Sequence, residues 1–510
     1  MGSIGRDVVF GVRMLGKRPG FTLVVVLILA LGLGANTAIF SVLHSVILRP
    51  LPFPDADRLV MVRGSHFPDE MGEEVAIANL LDWRRENRSF DQLGAYAPAS
   101  LNLTGGDTPE RIETAQVSPG AMAALGVQPV LGRLFLADEE GPESRLAILS
   151  YGIWRSHFGG DPDILGEVIR LSGIEYPVVG VMPPDFQFPS EKAQLWFPLR
   201  ITEDRANDRR ERWAYPFGRL KAGVSLVAAQ ADMDRVTAAL AQEYPEFNKN
   251  WGVRLVPLHQ HLVGEVRPAL LTLQVTVFLL LLLACANVAN LQLARAASRR
   301  TEMAVRSAIG ASSPAILRQL LIEGMILAGL GGLVGLLLAF WGLRLLIAIN
   351  PDYIPRLDQV GIDPTVLLFT LGLAALTGLV FGLVPARSAL KRNLVQDLQE
   401  GSATSSSGLG QIHFRRLLTV FEVVGSLVLM IGAGLLLASL SHLRSVEPGF
   451  NPEDVVTLEL VLPRSRYPDG PQRAAFFREI AERASGLPGV NAAGGTSSLP
   501  LSGSSASASY

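Results

Sequence analysis

Five stretches of this sequence are long and apolar enough to cross a lipid bilayer, and they fix the class of fold before any motif is read. They are Phe21–Leu43, Leu270–Leu291, Leu320–Ile349, Val366–Ala386 and Leu417–Leu440. A span needs about 20 mostly apolar residues to cross roughly 30 Å of hydrocarbon. Inside it every backbone N–H and C=O must be satisfied within the protein, so each stretch is predicted to be a helix. With 49% hydrophobic and only 18% charged residues over 510 positions, the chain is too apolar for an ordinary soluble protein. A formal net charge of −2 argues against nucleic acid as a partner. The bilayer is the partner the composition demands.

Basic residues near span ends are retained in the cytoplasm. Arg6, Arg13, Lys17 and Arg18 precede the first span, Arg295, Arg299, Arg300, Arg306 and Arg318 separate the second from the third, and Arg387, Lys391, Arg392, Arg415 and Arg416 separate the fourth from the fifth. The short loop between the third and fourth spans is instead acidic, with Asp352, Asp358 and Asp363 against Arg356. The amino terminus is therefore expected inside, with the long 49–268 insert and the tail after Leu440 outside. The first span resembles a signal peptide in having a basic flank, but it is too long, and Gly-Ala-Asn-Thr-Ala at 34–38 is a poor cleavage site. Ahead of it, Ile4, Val8, Val12 and Leu15 recur at helical spacing among Arg6, Arg13 and Lys17, which predicts a helix over residues 1–20 lying in the inner interface.

The fold expected is a multi-span α-helical membrane protein carrying a large α+β outer domain. Strands are predicted at Leu59–Val62 and Gly94–Leu103 around a helix at Ala76–Glu86. A β-rich insert, Ala115–Leu199, carries strands at Leu146–Leu149, Val168–Leu171 and Tyr176–Val181. A helix at Leu226–Tyr244, with Asp232, Asp234 and Arg235 on its polar side, and a strand at Trp251–Pro257 lead back to the membrane. Cys285, the single cysteine, lies inside the second span, so the outer domain has no disulfide and depends on its own core. About 220 residues suffice for one.

No catalytic, cofactor or metal site is assigned. A phosphate-cradling loop needs G-x-x-x-x-G-K-[ST], whereas Gly-Lys occurs only at 16–17 and is followed by Arg18. HExxH and GxSxG are also missing from the sequence. His259 and His261 lack a third ligand nearby in sequence and read as surface polar residues. Ser225 reads as a helix N-cap. Of the ionisable residues in spans, Glu323 and Glu422 fall near the inner face and Arg344 near the outer one, positions suited to anchoring. Gly331 with Gly335, and Gly378 with Gly382, make small-xxx-small faces that let helices approach closely.

Three segments carry a family resemblance. The middle of the outer domain, LSYGIWRSHFGGDPDILGEVIRLSGIEYPVVGVMPPDFQFP, resembles the periplasmic core of MacB-type permeases. The loop TEMAVRSAIGASSPAILRQLLIEG, Thr301–Gly324, resembles the coupling loop of the MacB/FtsX superfamily, and PARSALKRNLVQDLQEG, Pro385–Gly401, its exit from the last span. The resemblance implies a first span at 21–48, a MacB-like periplasmic domain at 49–268 and an FtsX-like permease domain at 269–400. That permease domain comprises spans at 269–292, 320–349 and 365–386 and a coupling loop at 293–319.

It further implies the permease subunit of an ABC-type system in the bacterial inner membrane, a mechanotransmitter rather than an enzyme. A separate ATPase is expected to dock at Arg299, Glu302, Met303, Arg306 and Ile309, driving export of drugs, peptides, lipids or lipoproteins. A second permease copy and a periplasmic partner are expected companions. The alternative is an FtsX-like signalling scaffold that regulates periplasmic proteins such as cell-wall hydrolases. After a Ser/Gly-rich linker at 401–413, a fifth span (414–442) and PGFNPEDVVTLEL (448–460) repeat the opening, echoing LPFPDADRLVMVR (51–63). This resembles the duplicated orphan permeases, with the 443–510 tail expected to be part of a second periplasmic domain, strand, helix (Gln472–Ala484) and strand, that lacks its closing elements.

Overall fold

The computed structural model describes residues 2–66, 74–104, 109–298, 313–349, 356–390, 409–446, 455–458, 460, 462, 467 and 469–496. The chain divides into two compact units, Met1–Pro50 with Leu262–Glu453, and Leu51–His261 with Asp454–Tyr510. The first unit begins with α1 (Gly2–Gly16) and α2 (Pro19–Leu43). Pro19 opens α2 where its missing N–H costs nothing, and the Thr22 hydroxyl donates back to the Leu15 carbonyl at 2.9 Å across the junction. Beyond Leu43 the helix widens into a π-helical turn, His44–Leu48, a rare geometry concentrated at functional sites.

The second unit follows as β1 (Leu59–His66), α3 (Ile77–Glu86) and β2 (Phe90–Thr104). An insert then runs through β3 (Glu110–Val117), α4 (Pro119–Leu125), β4 (Leu131–Gly132), β5 (Ala147–Leu149), α5 (Tyr151–His157), β6 (Val168–Leu171), β7 (Ile174–Val181), β8 (Leu195–Pro198) and α6 (Glu203–Asn207). The unit closes with β9 (Tyr215–Leu220), α7 (Leu226–Glu243), α8 (Pro245–Asn248), β10 (Trp251–Pro257) and α9 (Leu258–Val263). The strands form one sheet in the order β10-β1-β9-β2-β3-β8-β5-β7-β4, with β6 paired to β2 and β7.

Its first four strands are antiparallel and, with α3 and α7, make a split β-α-β unit in which the insert replaces the turn between the paired middle strands β2 and β9. Two cores follow from this. Val60, Val62, Ile77, Leu80, Trp83, Met233, Val236 and Leu240 fill the split unit, and Ile112, Ile153, Ile169, Val178, Leu195 and Phe197 fill the insert.

The elements expected at Val168–Leu171 and Trp251–Pro257 stand as read, and Ser225 caps α7 by accepting the Ala228 N–H at 3.2 Å. The split unit has a fourth strand, β9, that the alternation of apolar residues did not announce. Its sequence, YPFGRL, contains a proline and a glycine, both depleted in strands. Gly218 is required there because a Cβ would stand 2.4 Å from the Gln92 carbonyl oxygen. Strands β3 and β8, and helices α4 and α5 inside the insert, were likewise not expected. The edge strand β10 is closed by a side chain: the Gln230 amide on α7 donates to the Val253 carbonyl and accepts the Leu255 N–H, both at 2.8 Å, standing in for a neighbouring strand.

The remaining spans are α10 (Arg267–Ser298), α11 (Ser313–Ile349), α12 (Pro364–Leu390) and α13 (Leu409–Ser445). Among the described residues, five helices are long and apolar enough to cross a membrane. Val25, Leu29 and Leu33 of α2 pack with Leu281 and Val288 of α10, Leu327 of α11 and Phe381 of α12. α13 is far more exposed and meets α10 where Gly425 abuts Leu283. In the tail, α14 spans Gly470–Ser485, but residues 455–458 and 489–496 form no ladder. The strands expected there lack a paired neighbour, and a strand is held by its partners.

On α7, Asp232 accepts from the Arg88 N–H at 2.7 Å and the Ser89 hydroxyl at 3.0 Å, and pairs with Arg235 at 2.9 Å, pinning the α3–β2 turn. Burial pushes its carboxyl up, but the hydrogen bonds from Arg88, Arg235 and Ser89 outweigh it and hold the group below the ordinary value of 3.8. A depressed carboxylate contributes stability that is complete above its unfolded value and lost as pH falls through the folded one. Asp232→Asn is therefore expected to lower stability at neutral pH and to flatten the loss as pH falls below the ordinary value of 3.8. Denaturant unfolding of the two proteins in detergent, followed through that fall, checks it; parallel pH profiles would refute it.

Candidate functional site

The transmembrane unit is built around places where backbones touch. A Cβ on Gly34 of α2 would stand 2.8 Å from the Gly335 carbonyl oxygen on α11, and one on Gly335 would stand 2.9 Å from that of Ala30. Gly331, one turn earlier, faces Leu29, whose Cβ would lie 2.6 Å away. About two turns earlier on α11, a Cβ on Gly324 would meet the Gly378 carbonyl oxygen at 2.7 Å, and one on Gly382 would meet Leu321 Cα at 2.7 Å. Without a hydrophobic force between helices in lipid, close approach of this kind is what holds them. The spacing of Gly331, Gly335, Gly378 and Gly382 was legible in the sequence. Their partners Gly34 and Gly324 were not singled out, because Gly34 forms no four-residue repeat with a second glycine of its own helix.

The segment 34–38, read above only as a poor cleavage site, has a different use. Asn36 is fully buried and donates to the Gly32 and Val277 carbonyls at 2.9 and 2.8 Å, while Gln274 of α10 donates to its side-chain oxygen at 3.2 Å. Thr37 and Thr370 join hydroxyls at 2.9 Å, linking α2 to α12. A polar group in hydrocarbon is costly without a partner, so this row specifies which helices may sit beside α2.

The intramembrane acids also find partners. Glu422 accepts from Asn290 at 2.8 Å, joining α13 to α10, and the buried Glu323 accepts from Gln319 at 3.1 Å. Arg344 lies 4.5 Å over the Phe340 ring on its own helix. At the other end of α11, Arg318 meets Asp7 of α1 at 2.6 Å, and a Cβ on Gly11 would stand 3.0 Å from Ile326 Cδ1. Leu15 of α1 faces this bundle, whereas Val8 and Val12 are exposed. One face of the helix thus meets different surroundings along its length, exposed at Val8 and Val12 and buried at Leu15. Arg299, Glu302, Met303, Arg306 and Ile309 lie outside the described residues, in the 299–312 connection between α10 and α11. His259 and His261 lie on α9, and no metal-holding group of three His, Cys, Asp or Glu occurs among the described residues.

Residues 22–236 match the MacB-like periplasmic core domain and residues 275–394 the FtsX-like permease C-terminal region. The macrolide export ATP-binding/permease protein MacB of Salmonella paratyphi A is 24% identical over 302 residues, 59% of this chain and 45% of that one. MacB of Escherichia coli K12 is 25% identical over 270 residues, 52% of this chain and 40% of its own. The match thus spans less than half the length of either relative. The periplasmic region of MacB from Actinobacillus actinomycetemcomitans aligns with 42% of this chain and 94% of its own, at 11% identity and a TM-score of 0.32.

Replacing Gly335 by Leu is expected to destabilise the bundle by about 1–3 kcal/mol or more through overpacking. The same change at Gly342, whose Cβ would meet nothing within 4 Å, is expected to stay within about 0.5 kcal/mol. Thermal unfolding in detergent distinguishes them, and equal midpoints would show that the α2–α11 contact does not hold the bundle.

Proposed function

We propose that this chain, a permease of the MacB/FtsX type, passes the work of a separate ATPase through its spans to the periplasmic domain, which then expels or hands on a substrate. The observation that carries this reading is the match of residues 275–394 to the FtsX-like permease region. That region brackets the basic 299–312 connection, and its flanking helix α11 is locked by backbone contact to both α2 and α12. A push on the connection moves α11, and α11 cannot move without its neighbours. α2 in turn continues directly into the periplasmic domain.

The basic flanks of the spans favour an N-terminus inside, by the retention of Lys and Arg in the cytoplasm. Drugs, peptides, lipids and lipoproteins are the substrate classes in view, with macrolides suggested by the names of the relatives. A second permease copy completes the assembly in this reading.

Because the sequence has no phosphate-cradling loop, the purified chain is expected to show no saturable binding of a fluorescent ATP analogue. Such binding would remove the need for a separate ATPase. Charge reversal tests the docking point: Glu302→Arg and Arg306→Glu should each reduce co-purification of the ATPase and ATP-dependent transport about thirtyfold or more, as loss of an interfacial charge pair would. Thermal stability should remain that of the parent. Undiminished transport by both folded variants would place the coupling point elsewhere. Activation of a cell-wall hydrolase by the reconstituted pair, without substrate transport, would favour the signalling alternative.

A further inference from the structure

The end of the first span is held by a residue from another part of the chain. After the π-helical turn His44–Leu48 the chain is extended at Arg49, and the carbonyls of Arg49 and Pro50, beyond the helix, take donors from elsewhere in the chain. Arg356, between α11 and α12, supplies them: its Nη1 donates to the Arg49 carbonyl at 2.9 Å and its Nη2 to that of Pro50 at 3.2 Å. The same guanidinium donates to Gln359 Oε1 from Nη2 at 3.1 Å and from Nε at 3.3 Å. Arg356 is only 7% exposed, and its φ of 60° places it in the left-handed region that an L side chain adopts at a cost. Such a conformation persists where the surroundings over-determine it. A cation at the carbonyl end of a helix is also favoured by the helix dipole.

Further contacts surround this point. The Ser41 hydroxyl donates to the Gly361 carbonyl at 2.5 Å, Phe40 stacks on Phe369 with ring centroids 3.9 Å apart, and His44 Nε2 lies 3.8 Å from an Asp363 oxygen. Val42 and Val46 pack with Leu343, Leu357 and Val360, and with Val263 and Leu270 at the start of the second span. One joint therefore gathers the end of α11, the start of α12 and both chain segments that lead to and from the periplasmic domain.

We propose that Arg356 is the positioning residue of this joint. By clamping the Arg49 and Pro50 carbonyls it keeps the π-helical turn from absorbing displacement, so that movement of α11 and α12 reaches the periplasmic domain. The transmission half of this proposal rests on the function proposed above; the clamp itself does not.

The test uses the full chain with Cys285 replaced by Ser, reconstituted in nanodiscs, and compares Arg356, Arg356→Gln and Arg356→Lys. A spin label at Leu48 reports the clamp without any ATPase. It is expected to be restricted in the parent, about tenfold more often released in Arg356→Gln, and intermediate in Arg356→Lys, which keeps one charged donor. Equal mobility in all three, with all three folded, overturns the clamp.

Transmission is read with the ATPase that co-purifies with the parent chain, by the nucleotide-dependent change in spin-label distance between Ser144 and Asn350. Arg356→Gln should keep ATPase binding and hydrolysis while losing most of that change, with Arg356→Lys restoring part of it; a purely structural role would lower binding and hydrolysis together. A full distance change in Arg356→Gln overturns the proposal. If the parent itself shows no nucleotide-dependent change, the transmission reading fails, and the Leu48 label alone still decides whether Arg356 clamps the turn.

Discussion

Backbone touches backbone where Gly34 meets Gly335, and the arrangement of the membrane unit depends on that contact. A side chain at either position would meet a carbonyl oxygen inside van der Waals distance, so the two helices lie as close as helices can. In hydrocarbon this proximity replaces the hydrophobic force that joins helices in water. Beside it, Asn36 and Thr37 bond the second and fourth spans. With α11 tied to α12 by Gly324, Gly378 and Gly382, the first, third and fourth spans form one packed block. The fifth span stands largely outside it, joined through Glu422 and Gly425 to α10.

The periplasmic unit is solved differently, because water is its solvent. Two cores share one sheet, so the inserted strands extend the ladder of the split unit rather than forming a separate layer. Polar side chains then close what the sheet leaves open. Gln230 satisfies the outer edge of β10, and a two-point bond from Arg84 to Glu140, at 2.8 and 3.1 Å, fastens α3 to the insert. No disulfide contributes, as the single cysteine at 285 implied.

The spans were legible because crossing a bilayer demands an unbroken apolar run, a signal that survives without knowledge of any partner. The same holds for α7, whose cap Ser225 and apolar spacing are local. β9 was not legible. Pro216 and Gly218 are disfavoured in strands by local preference, and only the crowding of Gly218 against β2 explains why a glycine stands there. The polar row on α2 was hidden for a related reason, since Asn36 and Thr37 acquire meaning only from Val277 and Thr370, more than two hundred residues away in the chain. Arg356 was seen as a lone base in an acidic loop; its role lies in two carbonyls three hundred residues earlier.

The periplasmic unit is attached to the membrane through β1, which follows the first span, and β10, which precedes the second. These strands are antiparallel neighbours with seven residue pairs, and their attached ends lie together at Val60 and Pro257. Drawing the two attachments apart would load the ladder at that end alone and peel it one pair at a time, the weakest way to strain a sheet. Moving them together leaves every rung unloaded. The domain is thus mechanically fragile to a spreading force at its attachments and stiff to a common one.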